Sequence, residues 1–258
     1  PGPHAMTALP TGADMARLLA AASDRFGCPR HDLLALAGAS AAIQILPRVL
    51  NGQRAAVLSP SYNEHAASLR AAGWQVAEPH DPDALSGADL AVIVNPNNPD
   101  GREYAPAQIA RIAAGVGHLL VDESFADPRP DLSVARARPA NVTVLRSFGK
   151  FWGLAGLRLG FAIAAPDLLA RMAEHAGPWA VSGPALEIGA AALADEGWAA
   201  NTVIWLAEAA LHLDQIVTAQ GWRLQGGTHL FRLYHTPDAG AAQDMLARAG
   251  IWSRRFPW

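Results

Sequence analysis

The chain has 258 residues, of which 51% are hydrophobic and 17% are charged, and its formal net charge is −3. This composition excludes a disordered chain, and the near balance of charges argues against nucleic acid or an anionic membrane as the partner. The single cysteine, Cys28, excludes an intrachain disulfide bond and a metal site built from several thiolates.

Strands and helices alternate along the first two thirds of the chain. Apolar runs predict strands at residues 33–36, 55–58, 89–94, 119–121 and 142–145. Helical spacing predicts helices at residues 13–26, from 41 onwards, at 63–72 and at 106–114. This alternation predicts an α/β fold with a mostly parallel sheet flanked by helices, in which ligands bind at the carboxyl ends of the strands.

The pattern changes after Pro166, where helical spacing dominates. Further helices are predicted at residues 167–175, 186–194 and 198–220, with a last one that ends at 249. Two short strands are predicted among them, at residues 222–224 and 230–234. We therefore expect a large domain at residues 1–165 and a smaller C-terminal α/β domain at residues 166–258.

The only lysine of the chain, Lys150, stands in the segment Ser147-Phe-Gly-Lys-Phe-Trp-Gly-Leu-Ala-Gly-Leu-Arg158, directly after a predicted strand. A lysine amine can form a Schiff base with an aldehyde, which the guanidinium groups of the 19 arginines cannot practically do. Ser147 and Arg158 both suit a phosphate group, because one offers a hydroxyl donor and the other a planar fork of N–H donors. The alternative is a surface lysine retained by chance.

Asp122 follows another predicted strand and is the main acidic candidate. A carboxylate at a strand end can bind a metal ion, act as a base or hold a protonated ring nitrogen, and aspartate is also common in turns. Beside a Schiff-base lysine the third role gains weight, because a carboxylate paired with the pyridine nitrogen keeps pyridoxal phosphate an effective electron sink. Glu123 should point to the opposite side of the strand, which indicates a structural role.

Three shorter segments add candidates that are individually ambiguous. Gly38-Ala39-Ser40 opens a predicted helix and would present free backbone N–H groups to an anion, although small residues there commonly form turns. Tyr62 could stack on a cofactor ring or lie in the core. Asn98 could donate a hydrogen bond to a ring substituent or cap a turn.

Together, these residues in this order resemble the fold-type I pyridoxal-phosphate enzymes of the aspartate aminotransferase superfamily, over nearly the whole chain. The resemblance implies that Lys150 carries the cofactor as a Schiff base and that Asp122 pairs with its pyridine nitrogen. It implies that Tyr62 stacks on the ring and that Asn98 bonds the ring hydroxyl oxygen. The cofactor phosphate would be held at the helix start and by two side chains: Gly38, Ala39, Ser40, Ser147 and Arg158.

Within the superfamily, three segments are similar to the threonine-phosphate decarboxylases, a family of cobalamin biosynthesis. They are residues 147–161, residues 177–184 (Gly-Pro-Trp-Ala-Val-Ser-Gly-Pro) and residues 226–232 (Gly-Gly-Thr-His-Leu-Phe-Arg). Phe125 stands where aminotransferases usually carry a tyrosine that bonds the ring hydroxyl oxygen, which favours decarboxylation. The expected reaction converts a small phosphorylated amino acid, L-threonine O-3-phosphate, into (R)-1-amino-2-propanol O-2-phosphate.

The resemblance also leaves alternatives open, the first being a histidinol-phosphate-type aminotransferase. We expect the N-terminal segment of the family to be absent or shortened, and the small domain to be truncated before the arginine that binds the substrate carboxylate. Arg232, Arg254 and Arg255 are candidates for a substrate phosphate or carboxylate, with solvated surface side chains as the alternative. An inactive truncated chain that binds pyridoxal phosphate is a further possibility, and a non-enzymatic effector domain ranks last.

The remaining expectations concern metals, location and assembly. The nine histidines show no metal-ligand spacing such as HExxH, so no metal site is expected. No apolar stretch resembles a transmembrane helix and the first residues do not resemble a signal peptide, which indicates a soluble cytoplasmic protein. The family resemblance implies a homodimer with active sites near the interface.

Overall fold

The computed structural model describes residues 1–256 and is built around a seven-stranded sheet. Its strands are, in chain order, β1 (Leu33–Leu36), β2 (Arg54–Val57), β3 (Gln75–Ala77), β4 (Leu90–Val94), β5 (His118–Asp122), β6 (Val142–Ser147) and β7 (Gly160–Ile163). Their order across the sheet is β1-β7-β6-β5-β4-β2-β3. Strand β7 runs antiparallel to its neighbours β1 and β6, and the other pairs are parallel. The predicted α/β class with a mostly parallel sheet is confirmed.

The helices of the described chain are α1 (Pro3–Thr7), α2 (Gly12–Phe26), α3 (Ala39–Val49), α4 (Glu64–Ala71), α5 (Pro106–Ala114), α6 (Pro166–Ala176), α7 (Gly183–Ala194), α8 (Glu196–Ala219) and α9 (Ala239–Arg248). Helix α2 shows how local sequence sets such bounds. It begins with a capping box in which Thr11 and Asp14 satisfy each other's backbone N–H groups, and it ends at Gly27, whose φ of 67° is left-handed.

Helices cover both faces of the large sheet, and the strand residues alternate between two apolar cores. In β4, Ala91 and Ile93 belong to the core packed by α2, α5 and α7, while Leu90 and Val92 belong to the core packed by α3, α4 and α6. Because both faces are covered, β4 has a continuous apolar sequence. The ends of the strands are therefore the natural place for a ligand site.

The C-terminal part adds a two-stranded antiparallel sheet, formed by β8 (Arg223–Thr228) and β9 (Phe231–His235). Helix α8 packs on β8, whereas α6 and α7 pack on α3 and α2 of the large layers. These contacts favour a small unit that starts later than residue 166. The division into residues 1–165 and 166–258 stays a prediction, and the last two residues lie outside the described part.

Two strands of the large sheet are absent from the sequence-based prediction. Strand β3 has only three residues, two of them exposed, at the edge of the sheet, so it has little apolar pattern. Strand β7 is buried throughout, but it has only four residues and follows a segment in which glycines and Arg158 interrupt the apolar pattern several times, so no single interruption marks its start. The other predicted elements are present: β1 and α5 have the predicted ends, and the rest have shifted ends. Among residues 1–256, no helix combines the length and the hydropathy of a membrane span.

Candidate active site

The carboxyl ends of β2, β4, β5 and β6 lie along one edge of the large sheet. In the strand register, Asp122 at the end of β5 pairs with Val94 of β4 and Leu145 of β6, so it occupies the middle of this edge. The segments that follow β2, β4 and β6 carry three further candidates: Tyr62, Asn98 and Lys150. The parallel sheet thus brings together residues that are far apart in sequence.

Asp122 is almost completely buried, with 3% of its surface exposed. Its Oδ1 accepts hydrogen bonds from the backbone N–H (2.9 Å) and the hydroxyl (2.5 Å) of Ser124, and its Oδ2 accepts one from His65 Nε2 at 2.9 Å. Burial raises the pKa of Asp122, but the hydrogen bond and charge of His65 and the donors of Ser124 outweigh burial and hold the pKa below its usual value. Asp122 is therefore ionised at neutral pH.

His65 is a site residue that the sequence analysis misses. It lies in α4 with 1% exposure, and its ring meets that of Tyr62 edge-on, with 5.9 Å between the centroids. Because Asp122 is ionised, His65 Nε2 donates in their contact. His65 Nδ1 is buried without a hydrogen-bond partner among residues 1–256. The three-residue spacing of Tyr62 and His65 at a helix start is the available signal, because it places both side chains on one side of the turn.

An anion cradle forms where α3 begins. Gly38 precedes the helix with a φ of 86°, and the N–H groups of Ala39 and Ser40 belong to the first turn, where helical backbone donors have no intrahelical acceptor. A Cβ on Gly38 would lie 2.7 Å from Nη2 of Arg158, and a Cβ on Gly160 would lie 2.3 Å from the backbone N of Ala39. Both glycines therefore allow a close approach at the helix start.

The cradle is completed from β6 and β7. Ser147 pairs with Gly160 in the β6–β7 register, which brings the serine to the same helix start. Arg158 has a φ of 55°, a left-handed conformation that is costly for a residue with a side chain and that is found preferentially at functional sites. Free helix N–H groups, a hydroxyl and a guanidinium together suit a phosphate.

The loop after β4 contains three asparagines, whose roles the structure separates. Asn95 exchanges two hydrogen bonds with the backbone of Tyr104, each 2.9 Å long. Asn97 Nδ2 donates to the carboxylate of Asp100 at 2.7 Å. Asn98 is half-buried, and within the described chain its amide has no hydrogen-bond partner. Asn98 is thus the asparagine whose amide is free to bind a ligand.

Lys150 follows the end of β6 and has an exposed side chain. Its Nζ lies over the face of the Phe125 ring, 5.3 Å from the centroid. Phe125 comes three residues after Asp122, so this contact brings the amine toward the end of β5. Elsewhere in residues 1–256, Nζ meets no acceptor and no carboxylate. The aromatic face attracts the ammonium but leaves its N–H donors unoccupied.

Charged groups around Tyr62 shift the pKa of its phenol in both directions. Burial, followed by the carboxylates of Glu64 and Asp122, raises the pKa of the Tyr62 phenol, while Arg254 and Arg158 act in the opposite direction. The charge of Arg254 thus acts to lower the pKa of the Tyr62 phenol, as that of Arg158 does.

The other two arginines considered for the substrate are placed differently. The guanidinium of Arg232 pairs with Asp214 at 3.0 Å, and both side chains are mostly buried. Arg255 is exposed to solvent. Arg254 differs from both in that its charge acts to lower the pKa of Tyr62.

Glu123 and Cys28 are structural. Glu123 is fully buried and points away from Asp122: Oε1 accepts the backbone N–H of Val134 at 2.8 Å, and Oε2 pairs with Arg146 Nη1 at 2.9 Å. Burial raises the pKa of Cys28 to about 11, so it is a thiol at neutral pH. The described residues contain no group of three or more His, Cys, Asp or Glu that could hold a metal ion.

The assembled groups fit a phosphorylated pyridine aldehyde, and hence pyridoxal 5'-phosphate. The helix start with Arg158 suits the phosphate, the ionised Asp122 suits a protonated ring nitrogen, and the amine of Lys150 suits the aldehyde carbon. Tyr62 adds an aromatic face, and Asn98 adds a free amide. The sheet order and this set of groups define the class of the protein as a pyridoxal-phosphate-dependent enzyme.

Comparison with known proteins agrees with this class. The family described as aminotransferase class I and II matches residues 13–256, and the chain belongs to this family. Its relatives include a threonine-phosphate decarboxylase from Pseudomonas aeruginosa, which is 43% identical over 98% of this chain and 78% of that protein. A threonine-phosphate decarboxylase from Sinorhizobium sp is 44% identical over 87% of this chain and 69% of that protein. A histidinol-phosphate aminotransferase from Mycobacterium bovis is 33% identical over 95% of this chain and 71% of that protein.

Solved structures share the fold. A putative histidinol-phosphate aminotransferase from Erwinia carotovora atroseptica superposes with a TM-score of 0.87 at 18% identity, covering 99% of this chain and 84% of that one. The L-threonine-O-3-phosphate decarboxylase from Porphyromonas gingivalis superposes with a TM-score of 0.80 at 21% identity, covering 95% of this chain and 82% of that one. At these identities the likeness supports the fold alone.

Proposed function

We propose that the chain is a pyridoxal-phosphate-dependent decarboxylase that converts L-threonine O-3-phosphate into (R)-1-amino-2-propanol O-2-phosphate in cobalamin biosynthesis. The observation that carries the proposal is the difference in identity: 43% and 44% to the two threonine-phosphate decarboxylases, against 33% to the histidinol-phosphate aminotransferase. The site adds support, because the amine of Lys150 faces the ring of Phe125, where aminotransferases of the superfamily usually have a tyrosine.

The residues described above would hold the cofactor as the family resemblance implies. Asp122 would pair with the ring nitrogen, Asn98 would donate to the ring hydroxyl oxygen, and Tyr62 would stack on the ring. Lys150 would bind the aldehyde carbon. The phosphate would be held by the cradle: Gly38, Ala39, Ser40, Ser147 and Arg158.

Asp122 and Lys150 have different roles in the proposed reaction. Bound pyridoxal phosphate supplies a sink for the electron pair of a bond that breaks at the substrate Cα. Asp122 keeps the ring nitrogen protonated, and its lowered pKa keeps the carboxylate ionised for this task. Decarboxylation breaks the bond from Cα to the carboxylate, releases CO2 and places a proton on Cα, and we assign Lys150 Nζ as the donor of this proton. Phe125 has no hydroxyl that could donate to the ring hydroxyl oxygen, so Asn98 is the side chain that we assign to that oxygen.

The substrate phosphate needs a cation of its own, and Arg254 is our candidate. Arg158 is engaged with the cradle at Gly38, and Arg232 is paired with Asp214. Arg254 is exposed, its guanidinium lies over the ring of Phe256 at 5.8 Å, and its charge acts on Tyr62. A guanidinium presents paired N–H donors that match two phosphate oxygens.

Product analysis with L-threonine O-3-phosphate tests the proposal. The protein loaded with pyridoxal phosphate is expected to release CO2 and form the aminopropanol phosphate without any added keto acid. L-threonine without the phosphate is the matched control, and it is expected to react far more slowly because Arg254 has no phosphate to bind.

Aminotransfer from histidinol phosphate is the second candidate, and the relative at 33% identity is the observation that favours it. It would require amine transfer to a keto acid. Such transfer, together with no CO2 from L-threonine O-3-phosphate, would contradict the decarboxylase proposal.

Assembly and location belong to the same proposal. We infer a homodimer, as the family resemblance implies, with Trp179 as one apolar side chain available to an interface, since 59% of it is exposed. Light scattering coupled to size-exclusion chromatography tests the dimer, and a monomer at micromolar concentration would contradict it. We also propose a cytoplasmic location, which fractionation of the source cells tests.

A further inference from the structure

The segment Gly226-Gly-Thr-His-Leu-Phe-Arg232 spans the turn of the β8–β9 hairpin, and it contacts two parts of the candidate active site. We propose that this hairpin is a positioning element, which holds the loop that bears Asn98 and the Phe125 ring that lies beneath Lys150. The inference rests on the proposed binding of pyridoxal phosphate, but its structural part is testable without the cofactor.

The first contact joins the hairpin to the Asn98 loop, backbone against backbone. A Cβ on Gly226 would lie 2.1 Å from the carbonyl oxygen of Asp100, and a Cβ on Gly101 would lie 2.2 Å from the carbonyl oxygen of Gly227. Neither neighbour is the end of a flexible side chain, so an added methyl group must move one backbone segment away from the other. The glycines on both sides thus permit a contact that fixes the spacing between hairpin and loop.

The loop itself is braced so that a displacement at Gly101 reaches Asn98. The N–H of Gly101 donates to the carbonyl of Asn97 at 2.8 Å. Asp100 Oδ1 accepts hydrogen bonds from Asn97 Nδ2 at 2.7 Å and from the backbone N–H of Arg102 at 3.0 Å. Asn98 lies between these bonded residues, and its own amide has no partner within the described chain. Its position is therefore set by the loop and not by a side-chain hydrogen bond of its own.

The second contact joins the hairpin to Lys150. Phe231 of β9 meets Phe125 edge to face, with ring centroids 4.9 Å apart. Phe125 in turn presents its face to Lys150 Nζ at 5.3 Å. Edge-to-face packing fixes the plane of the inner ring, so Phe231 determines where the aromatic face under the amine lies.

The hairpin is itself anchored to α8. Tyr234 donates to Asp214 Oδ1 at 2.7 Å, Arg232 pairs with Asp214 Oδ2 at 3.0 Å, and Arg232 Nη1 donates to the carbonyl of Thr228 at 3.1 Å. The Arg232 and Asp214 side chains are only 14% and 16% exposed, so the pair is shielded from solvent. These contacts give Arg232 a role in holding the hairpin, and the hairpin in turn connects α8 with the Asn98 loop and with Phe125.

Gly226→Ala tests the proposal, with Gly197→Ala as the matched control. A Cβ on Gly197 would meet only Asp195 Oδ1, at an ordinary 3.7 Å. In the cofactor-free chain, Gly226→Ala is expected to speed hydrogen exchange at the N–H groups of Asn97 and Gly101, and Gly197→Ala is expected to leave it unchanged. In the protein loaded with pyridoxal phosphate, Gly226→Ala is expected to weaken cofactor binding roughly 10-fold, because a small displacement of Asn98 from the cofactor has a large effect on their interaction. The pH dependence of the cofactor absorption band is expected to shift for the same reason.

Phe231→Leu is the second variant, for use if Gly226→Ala does not fold. It keeps an apolar side chain at position 231 but removes the aromatic ring. It is expected to change the rate at which an amine reagent modifies Lys150 in the cofactor-free chain, because the Phe125 ring loses its support. Wild-type exchange and wild-type amine reactivity in the folded variants would overturn the positioning role. A wild-type protein that binds pyridoxal phosphate but releases no CO2 would overturn the decarboxylase proposal and leave this one standing.

Discussion

His65 Nε2 lies 2.9 Å from Asp122 Oδ2, and both side chains are buried at the end of β5. The contact joins α4 to the centre of the sheet edge and holds the pKa of Asp122 low despite burial. Because His65 does not itself face Lys150 in any described contact, we regard it as a positioning residue that acts through Asp122.

His65→Leu is expected to raise the pKa of Asp122, because the largest factor opposing burial is removed. Asp122 must be ionised to pair with a protonated ring nitrogen. The acidic limit of pyridoxal phosphate binding is therefore expected to move to higher pH, which absorption titrations at a series of pH values measure.

His118→Leu is the control for this prediction. His118 is also shielded from solvent and hydrogen-bonded, to Thr143 Oγ1 at 2.9 Å, but it lies at the start of β5, away from the site. The His118→Leu variant should therefore leave the acidic limit of pyridoxal phosphate binding unchanged. An unchanged limit in His65→Leu would show that His65 does not set the charge of Asp122.

The same pKa predicts how folding stability depends on pH. The folded-state pKa of Asp122 is lowered, so its contribution is present above the unfolded-state pKa and is lost as the pH falls through the folded-state value. Denaturation experiments at decreasing pH should therefore show that the free energy of unfolding falls in the wild type. The fall should be smaller in Asp122→Asn. Equal losses in both proteins would contradict the lowered pKa.

Gly38→Ala is expected to weaken phosphate binding at the α3 cradle. Its Cβ would lie 2.7 Å from Arg158 Nη2, and the residue has a φ of 86°. Gly73→Ala is the control, because its φ of 89° is nearly the same but its Cβ would meet nothing within 4 Å. Both variants are expected to lose about 1 kcal/mol of folding stability, but only Gly38→Ala should lose affinity for pyridoxal phosphate, by about 10-fold. Calorimetric titration measures the affinity, and equal affinities would contradict the cradle.

Asn98→Ala and Asn97→Ala are expected to separate binding from stability. Among residues 1–256 the amide of Asn98 has no hydrogen-bond partner, so its loss should leave the free energy of unfolding unchanged and alter the absorption band of the bound cofactor. Asn97 donates to Asp100 and to the carbonyl of Pro60, so its loss should cost about 1–3 kcal/mol of folding stability. Urea denaturation and absorption spectra of both variants check this, and the reverse result would assign the ligand role to Asn97.

Glu123→Ala is expected to destabilise the fold by about 3–5 kcal/mol, because the buried Arg146 loses one of its two carboxylate partners. Glu103→Ala is the control. Its pair with Arg129 is partly exposed, so its removal should cost about 0–1 kcal/mol. Chemical denaturation measures both, and equal losses would contradict the structural role of Glu123.

The sequence predicts those site residues that stand at strand ends in recognisable segments. Lys150, Asp122 and Asn98 each follow an apolar strand, and the carboxyl-end rule for parallel sheets is enough to group them. The large sheet is predicted for the same reason, because its buried strands are continuous apolar runs. Strand β7 is missed because it is short and follows a glycine-rich apolar segment in which no single interruption marks where a strand begins.

The remaining site features depend on contacts that no local pattern shows. His65 and Asp122 are 57 residues apart, and the spacing of His65 from Tyr62, which is the one local signal, does not indicate that a carboxylate lies beyond it. The approach of Gly226 to Asp100 likewise joins a C-terminal hairpin to a loop of the large sheet. Only the folded backbone brings these partners together.

Lys150, the only lysine of the chain, is the residue that we propose to hold pyridoxal phosphate. Incubation with the cofactor, reduction with borohydride and mass analysis of the peptides test it directly. We predict a stable adduct on Lys150 that keeps the reduced cofactor on the chain after dialysis, and no such retained adduct in Lys150→Arg. A wild-type chain that is folded but carries no adduct on Lys150 would contradict it.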